Sequence, residues 1–378
     1  EIFEYGKKRA GEIGADKVFD FSIGNPNVPA PAFIKDTITD LVNNEDPVKI
    51  HGYTSAQGDF GVRKALADHI NSKYGTAITA DHFYLTAGAA ASLSICCKAL
   101  ALPGDEFLTF APYFPEYKIY VESAGAALSV IPADTANFQI DLEKFAQAIN
   151  EKTKAVIINS PNNPSGVVYS LETVRKMCLI MEERSIELGR PIYLISDEPY
   201  RELVYGDAEV PFLLNYYDNT FVCYSYSKSL SLPGERIGYV LVSNRMKDGE
   251  DIYAAVCGAG RALGYVCAPS LFQHLIARCV GRTADISIYK RNRDILYSGL
   301  KRMGYECARP DGAFYLFVRA LEPDAVAFCE KAKKHELLLV PGDGFGCPGY
   351  VRISYCVRTD QIEASLPAFE KLAAEYKK

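Results

Sequence analysis

Hydrophobic and polar positions fall into two textures along the chain. Between about residues 80 and 245, short apolar runs alternate with longer stretches of helical period. The runs at 84–86, 106–110, 155–159, 193–196, 221–224 and 238–242 are bounded by turn residues and read as buried strands. Between them the spacing predicts helices near 114–123, 142–150 and 171–188. An alanine-rich helix is expected after Ala87-Gly88-Ala89-Ala90, running to residue 100. Segment 59–74 places Phe60, Leu66 and Ile70 near helical spacing, and Gly75 closes it. This alternation predicts an α/β fold: a three-layer α/β/α large domain with a mainly parallel sheet covered on both faces.

From about residue 270 the texture changes. Helical patterns at 271–280 and 287–303 precede a strand at 313–318, another helix and a strand at 350–355. Residues 1–20 read as a short amphipathic helix ending in a loop, and Gly and Pro break up 21–29. These parts predict a smaller α+β domain. The expected division is a large domain at 40–265 and a small domain from 1–39 and 266–378.

Composition narrows the possibilities. Of 378 residues, 48% are hydrophobic and 23% charged, which excludes wholesale disorder. With 41 Lys+Arg against 47 Asp+Glu, the net charge of -6 argues against non-specific nucleic-acid binding. The 11 cysteines are odd in number and lack metal spacing. They read as free thiols in a reducing cytosol, with no metal site expected. The most apolar stretch, 87–102, carries Lys98 and several serines and is too short for a bilayer span. No leader is visible, and the chain starts at Glu1 without Met, so the natural N-terminus is expected to lie elsewhere.

Four segments carry candidate chemistry. In Tyr224-Ser225-Tyr226-Ser227-Lys228 a lysine follows a strand amid hydroxyls. It is either a solvated loop lysine or one that forms a Schiff base with a carbonyl cofactor. Arg236, eight residues on, could pair with a phosphate and lower the lysine's pKa. Asp197, in Ile195-Ser196-Asp197-Glu198-Pro199-Tyr200, stands at a strand's carboxyl end, where open α/β sheets bind ligands. A turn aspartate before proline is its plain alternative. Asn159-Ser160-Pro161-Asn162-Asn163-Pro164-Ser165-Gly166 follows another strand, and turn formation alone could explain it. Thr86-Ala87-Gly88-Ala89-Ala90-Ala91-Ser92 opens a helix and offers backbone N–H groups to an anion, or simply permits close packing.

Together these segments are specific. Asn163, Asp197, Tyr200, Ser225, Lys228 and Arg236 follow the order N-P-x-G, D-x-x-Y, S-x-x-K, R, with the lysine 31 positions after the aspartate. In this the sequence resembles the fold-type I pyridoxal-phosphate enzymes, and among them the class I/II, aspartate-aminotransferase-like aminotransferases. The resemblance runs from Gly24 to Arg352. It implies pyridoxal 5'-phosphate as cofactor and ping-pong transfer of an amino group between an L-amino acid and a 2-oxo acid.

By that resemblance, Lys228 is the Schiff-base lysine and proton carrier, and Asp197 pairs with the ring nitrogen. Tyr200 and Asn163 hydrogen-bond the ring's phenolate oxygen, and Phe114 stacks on the ring. Gly88, Ala89, Ala90, Ser225 and Arg236 hold the phosphate. Many relatives carry a polar side chain where Ala90 stands, so one phosphate contact is expected to be lost or moved, with Ser92 a candidate to take it. Tyr53 matches the tyrosine that reaches the neighbouring subunit's phosphate, which implies a homodimer with shared active sites. Arg352 forks onto the substrate α-carboxylate, and Gly24 offers a backbone contact to the same group. Arg261 is open between a second substrate-carboxylate contact and a surface or phosphate-facing arginine. Tyr5 and Ile23 are candidates to line the side-chain pocket.

Two other functions share parts of this pattern. A pyridoxal-phosphate β-lyase acting on cysteine conjugates has every motif named and differs in its substrate pocket. A ligand-sensing domain of a transcription regulator would add a helix-turn-helix, and the acidic chain shows no basic recognition helix. The expected setting is the cytoplasm, with no nucleic-acid or membrane partner.

Overall fold

Seven apolar runs assemble into one sheet in the computed structural model, which describes residues 2–377. Glu1, the first residue of the expected N-terminal helix, and Lys378 lie outside the described residues. The strands are β1 (Phe83–Thr86), β2 (Glu106–Phe110), β3 (Ala127–Ile131), β4 (Thr153–Asn159), β5 (Tyr193–Asp197), β6 (Thr220–Ser225) and β7 (Gly238–Val242). Their order is β1-β7-β6-β5-β4-β2-β3. Only β7 runs against its neighbours; the pairs from β6 through β3 are parallel. Every residue of β1, β5, β6 and β7 is buried, as expected for strands covered on both faces.

Helix ends follow local chemistry. Asp59 caps Phe60–Tyr74 by accepting from the Val62 N–H, and Gly75 ends it at φ 68°. Ser170 caps Leu171–Leu188 through the Thr173 N–H, and Gly189 closes it in the left-handed region. Among the elements not read from the sequence, three have weak local signals. Strand β3 is an edge strand with mixed exposure, so its apolar pattern is weak. Helix Gly249–Ala262 contains three glycines, which mask its propensity. One is required: a Cβ at Gly260 would lie 2.4 Å from the Tyr84 hydroxyl. The C-terminal helix Thr359–Ala374 carries Pro367 inside it.

A second core gathers Phe21 with residues between Tyr289 and Ala373, around the antiparallel strands Tyr315–Arg319, Val340–Pro341 and Tyr350–Ser354. The N-terminal segment joins it by pairing Phe19 and Asp20 with Leu337 and Leu338. Helices Ala32–Asn44 and Ser270–Arg278 instead bury Ile34, Leu41, Leu275 and Ile276 in the core shared with Val62 and Leu66. The carboxyl ends of β4, β5 and β6 thus face the strand Tyr350–Ser354 across a cavity of about 440 Å3. No helix among the described residues is long and apolar enough to cross a membrane.

Candidate active site

The cavity is lined by Gly24, Ala89, Ala90, Phe114, Asn163, Asp197, Tyr200, Ser225, Lys228, Arg236 and Arg352, together with Ile23. Residues spread over more than 300 positions therefore meet at one place, where three parallel strands end.

Asp197 is the last residue of β5 and is buried. Its Oδ2 accepts from the Tyr117 hydroxyl at 2.6 Å, while Oδ1 is buried with no partner in the protein. Its backbone oxygen accepts from Asn159 Nδ2 at 2.9 Å, which ties the ends of β4 and β5 together. Burial pushes the Asp197 carboxyl up to about 7; the Tyr117 hydrogen bond pulls it down and Glu198 pushes it up.

Lys228 sits in the short helix Tyr226–Ser229, directly after β6. Its Nζ donates to the Gly24 carbonyl at 2.7 Å, so the N-terminal segment lies over the lysine. Burial pushes the ammonium down to about 8; Arg236 and Arg352 push the same way, against an opposing pull from Cys356.

The far corner is built for an anion. Helix Ala89–Leu100 opens at Gly88, at φ 89°, with no side chain capping it. Its first N–H groups and the positive end of the helix dipole are therefore available. Arg236 holds a left-handed φ of 52°, and its Nη1 and Nη2 donate to the Pro233 and Ala87 carbonyls at 2.9 and 3.3 Å. A Cβ on Gly88 would lie 2.8 Å from Arg236 Nη2, so glycine lets the guanidinium close on the helix end. The Ser225 and Ser227 hydroxyls are 2.7 Å apart beside it. Ser92 is a correction to the sequence reading. It is fully buried, and its hydroxyl is engaged by the Thr86 hydroxyl at 2.8 Å and the Gly88 carbonyl at 3.3 Å. It is thus turned into the helix packing rather than the cavity.

Arg352 is the third cation in the cavity. Nη1 donates to Asn163 Oδ1 at 3.1 Å and Nη2 to the Ser22 carbonyl at 2.7 Å, while Nε is buried without a partner. Its guanidinium lies over the rings of Tyr315 and Phe345, 4.8 and 4.9 Å from their centroids. The Tyr315 and Tyr200 hydroxyls are 2.8 Å apart, and burial pushes Tyr200 well above the usual phenol range.

Tyr53 is outside the cavity and almost fully exposed, at 99%. Tyr5 and Arg261 are also exposed and do not line it. Tyr117 and Tyr315 were not singled out from the sequence. Tyr117 follows Phe114 by three positions, and Tyr315 ends the run Gly312-Ala313-Phe314-Tyr315; both look like ordinary core aromatics.

The chain belongs to the class I and II aminotransferases: the family profile described as aminotransferase class I and II matches residues 16–369. It is accordingly a pyridoxal-phosphate-dependent transaminase, moving an amino group between an amino acid and a 2-oxo acid. An amino transferase from Eubacterium rectale is 61% identical with a TM-score of 0.98, covering 100% of this chain and 95% of that one. The aspartate aminotransferase of Thermotoga maritima is 31% identical over 362 residues, 94% of this chain and 91% of the relative. A crystal structure of the Thermotoga maritima aspartate aminotransferase superposes with a TM-score of 0.87 at 30% identity, covering 98% and 95%. A probable aspartate aminotransferase of Methanocaldococcus jannaschii is 30% identical, covering 95% and 94%.

The residues present fit pyridoxal phosphate. The orphaned Asp197 Oδ1 is an acceptor awaiting an N–H donor. The uncapped helix end with Arg236 suits a phosphate, and Lys228 shares the cavity with both.

Proposed function

We propose that this chain transaminates α-amino acids in the cavity at the ends of β4 to β6. The roles are Lys228 as attachment point and proton carrier, Asp197 as partner of the ring nitrogen, and Arg352 as receptor of the α-carboxylate. The observation that carries this is the pairing of a partnerless Asp197 oxygen with a depressed lysine in one cavity. Pyridoxal phosphate, when bound, supplies a carbonyl that takes up the amine and a ring that accepts the electron pair left when Cα loses its proton.

This chain's residues do the rest. Lys228 Nζ, with its pKa lowered to about 8, has a neutral fraction near neutral pH and can take a proton and return it. Asp197 Oδ1, the buried acceptor without a partner, would accept from the ring nitrogen and keep it protonated. With pyridoxal phosphate bound, Tyr200 and Asn163 would hydrogen-bond its phenolate oxygen and Phe114 would stack on it; all three line the cavity. The N–H groups of Gly88, Ala89 and Ala90, with Ser225 and Arg236, would hold the phosphate. Arg352 offers a planar fork to the substrate carboxylate from an apolar, aromatic bed, where water competes poorly. Gly24, whose carbonyl rests on Lys228, belongs to the segment that covers the substrate.

The relatives' names support aspartate as an amino donor. Lys228, Arg236 and Arg352 are the cations of the cavity, and each already has a role. A second substrate carboxylate would therefore draw its cation from a neighbouring copy, with Arg261 the candidate. We propose a cytoplasmic homodimer in which Tyr53 completes the partner's phosphate site. The exposure of Tyr53 at 99% and Val48 at 79% supports a covered face there. We also propose 40–265 as the cofactor-binding domain, with 1–39 and 266–378 forming the smaller one, apart from the helices at 32–44 and 270–278 that pack on the larger.

The test is the cofactor's absorption spectrum as single amino acids are added without an oxo acid. A shift to the pyridoxamine form, reversed by an oxo acid, is the expected outcome. Accumulation of ammonia and an oxo acid with no such shift would assign the chain to β-elimination instead.

A further inference from the structure

Asp197 has a partner in Tyr117, 80 positions earlier in the chain. Tyr117 lies in the helix Glu116–Ser123 and is 1% exposed. Its ring is held edge-on by Phe114, with centroids 5.7 Å apart, and stacks on Tyr113. A turn bond from the Tyr117 N–H to the Phe114 carbonyl, 3.1 Å, fixes the two side chains relative to each other. The only polar atom of this side chain is spent on Asp197 Oδ2, at 2.6 Å.

We propose that Tyr117 is a positioning residue that aims Asp197 at the ring nitrogen of the cofactor. Its hydroxyl occupies one carboxylate oxygen and leaves the other, Oδ1, as the carboxylate's one unpartnered acceptor, on a residue that lines the cavity. A carboxylate with both oxygens free could rotate and offer either; one pinned by a buried phenol presents a single oxygen in a single direction. The pin also favours the ionised carboxylate: burial pushes the Tyr117 hydroxyl well above the usual phenol range, so it keeps its proton, and donating that proton to Asp197 pulls the carboxyl's pKa down. A carboxylate, unlike a carboxyl group, keeps a ring nitrogen protonated. Tyr117 and Phe114 thereby couple two contacts to the cofactor through one helix turn.

This inference rests on the reading of Asp197 as the ring-nitrogen partner, and the experiment separates the two. The full chain, freed of cofactor, is titrated with pyridoxal phosphate and with its 1-deaza analogue, in which the ring nitrogen is replaced by C–H. The parent protein is expected to prefer pyridoxal phosphate. In Tyr117→Phe, which keeps the ring packing, that preference should shrink about tenfold, the scale of one charge-assisted hydrogen bond. Analogue affinity should stay the same. A parent without preference would overturn the Asp197 reading and this one with it. A preference that Tyr117→Phe leaves unchanged, or an equal loss for both ligands, would overturn the Tyr117 assignment alone. If Tyr117→Phe does not fold, Tyr117→His, which retains a ring N–H, is compared with Tyr117→Leu by the same titration. Equal preference in those two would also overturn it.

Discussion

Arg352 donates to Asn163 across the cavity, Nη1 to Oδ1 at 3.1 Å, joining the strand Tyr350–Ser354 to the loop that follows β4. The same guanidinium holds the Ser22 carbonyl at 2.7 Å, so it also ties down the N-terminal segment. A substrate carboxylate arriving at Arg352 competes with both acceptors. Binding at one end of the cavity is thus linked to Asn163 at the cofactor end and to the segment that carries Gly24.

Arg352→Lys is expected to cut kcat/KM about a hundredfold for every α-amino acid tested, since a point charge cannot replace a planar fork. Most of the loss should appear in KM. A loss confined to acidic amino acids, seen in steady-state kinetics across a panel, would move Arg352 to the side-chain subsite.

Lys228→Ala is expected to retain pyridoxal phosphate binding through the phosphate corner and Asp197. Turnover should fall by several orders of magnitude, as for loss of a residue that is both attachment point and proton carrier. Single-turnover absorbance measurements with a good amino donor check this; near-normal rates would sink the assignment.

Without cofactor, stability should depend on pH in a defined way. Asp197 titrates near 7 when folded against 3.8 when free, so the folded chain holds a proton in that window that the unfolded chain lacks. Stability therefore falls as pH rises from about 4 to 7. Lys228 titrates near 8 against 10.5, so its stability contribution is present above 10.5 and is lost as pH falls to 8. The cofactor-free protein should thus melt lowest between about pH 7 and 8. Asp197→Asn should raise that melting temperature by a few °C, on the order expected for a relieved buried charge, and flatten the acid limb. Calorimetry of both proteins from pH 4 to 8 decides it.

Tyr53 offers a test of shared sites. Tyr53→Ala and Lys228→Ala should each be poorly active alone. Mixed in equal amounts and allowed to exchange subunits, they should recover about a quarter of parental activity, because half the dimers are mixed and each mixed dimer holds one intact site. No recovery, with exchange verified by mass, would place Tyr53 outside the neighbouring site.

Much of this molecule is legible in sequence because the signals are local. Strands Glu106–Phe110 and Gly238–Val242, and helices Leu171–Leu188 and Ser287–Met303, have the expected bounds, since their apolar period and end residues lie within the elements themselves. The order of Asn163, Asp197, Tyr200, Ser225, Lys228 and Arg236 was also visible, because each follows a strand end marked by turn residues. Other features needed the tertiary structure. Ser92 faces Thr86 rather than the cavity because of how the helix sits on the sheet. Tyr117 meets Asp197, and Tyr315 meets Tyr200, across 80 and 115 positions. The lowered pKa of Lys228 is set first by burial, which no local pattern encodes. Residue identity determined which groups could do chemistry; packing decided which are desolvated and which touch, and those two quantities depend on the whole chain.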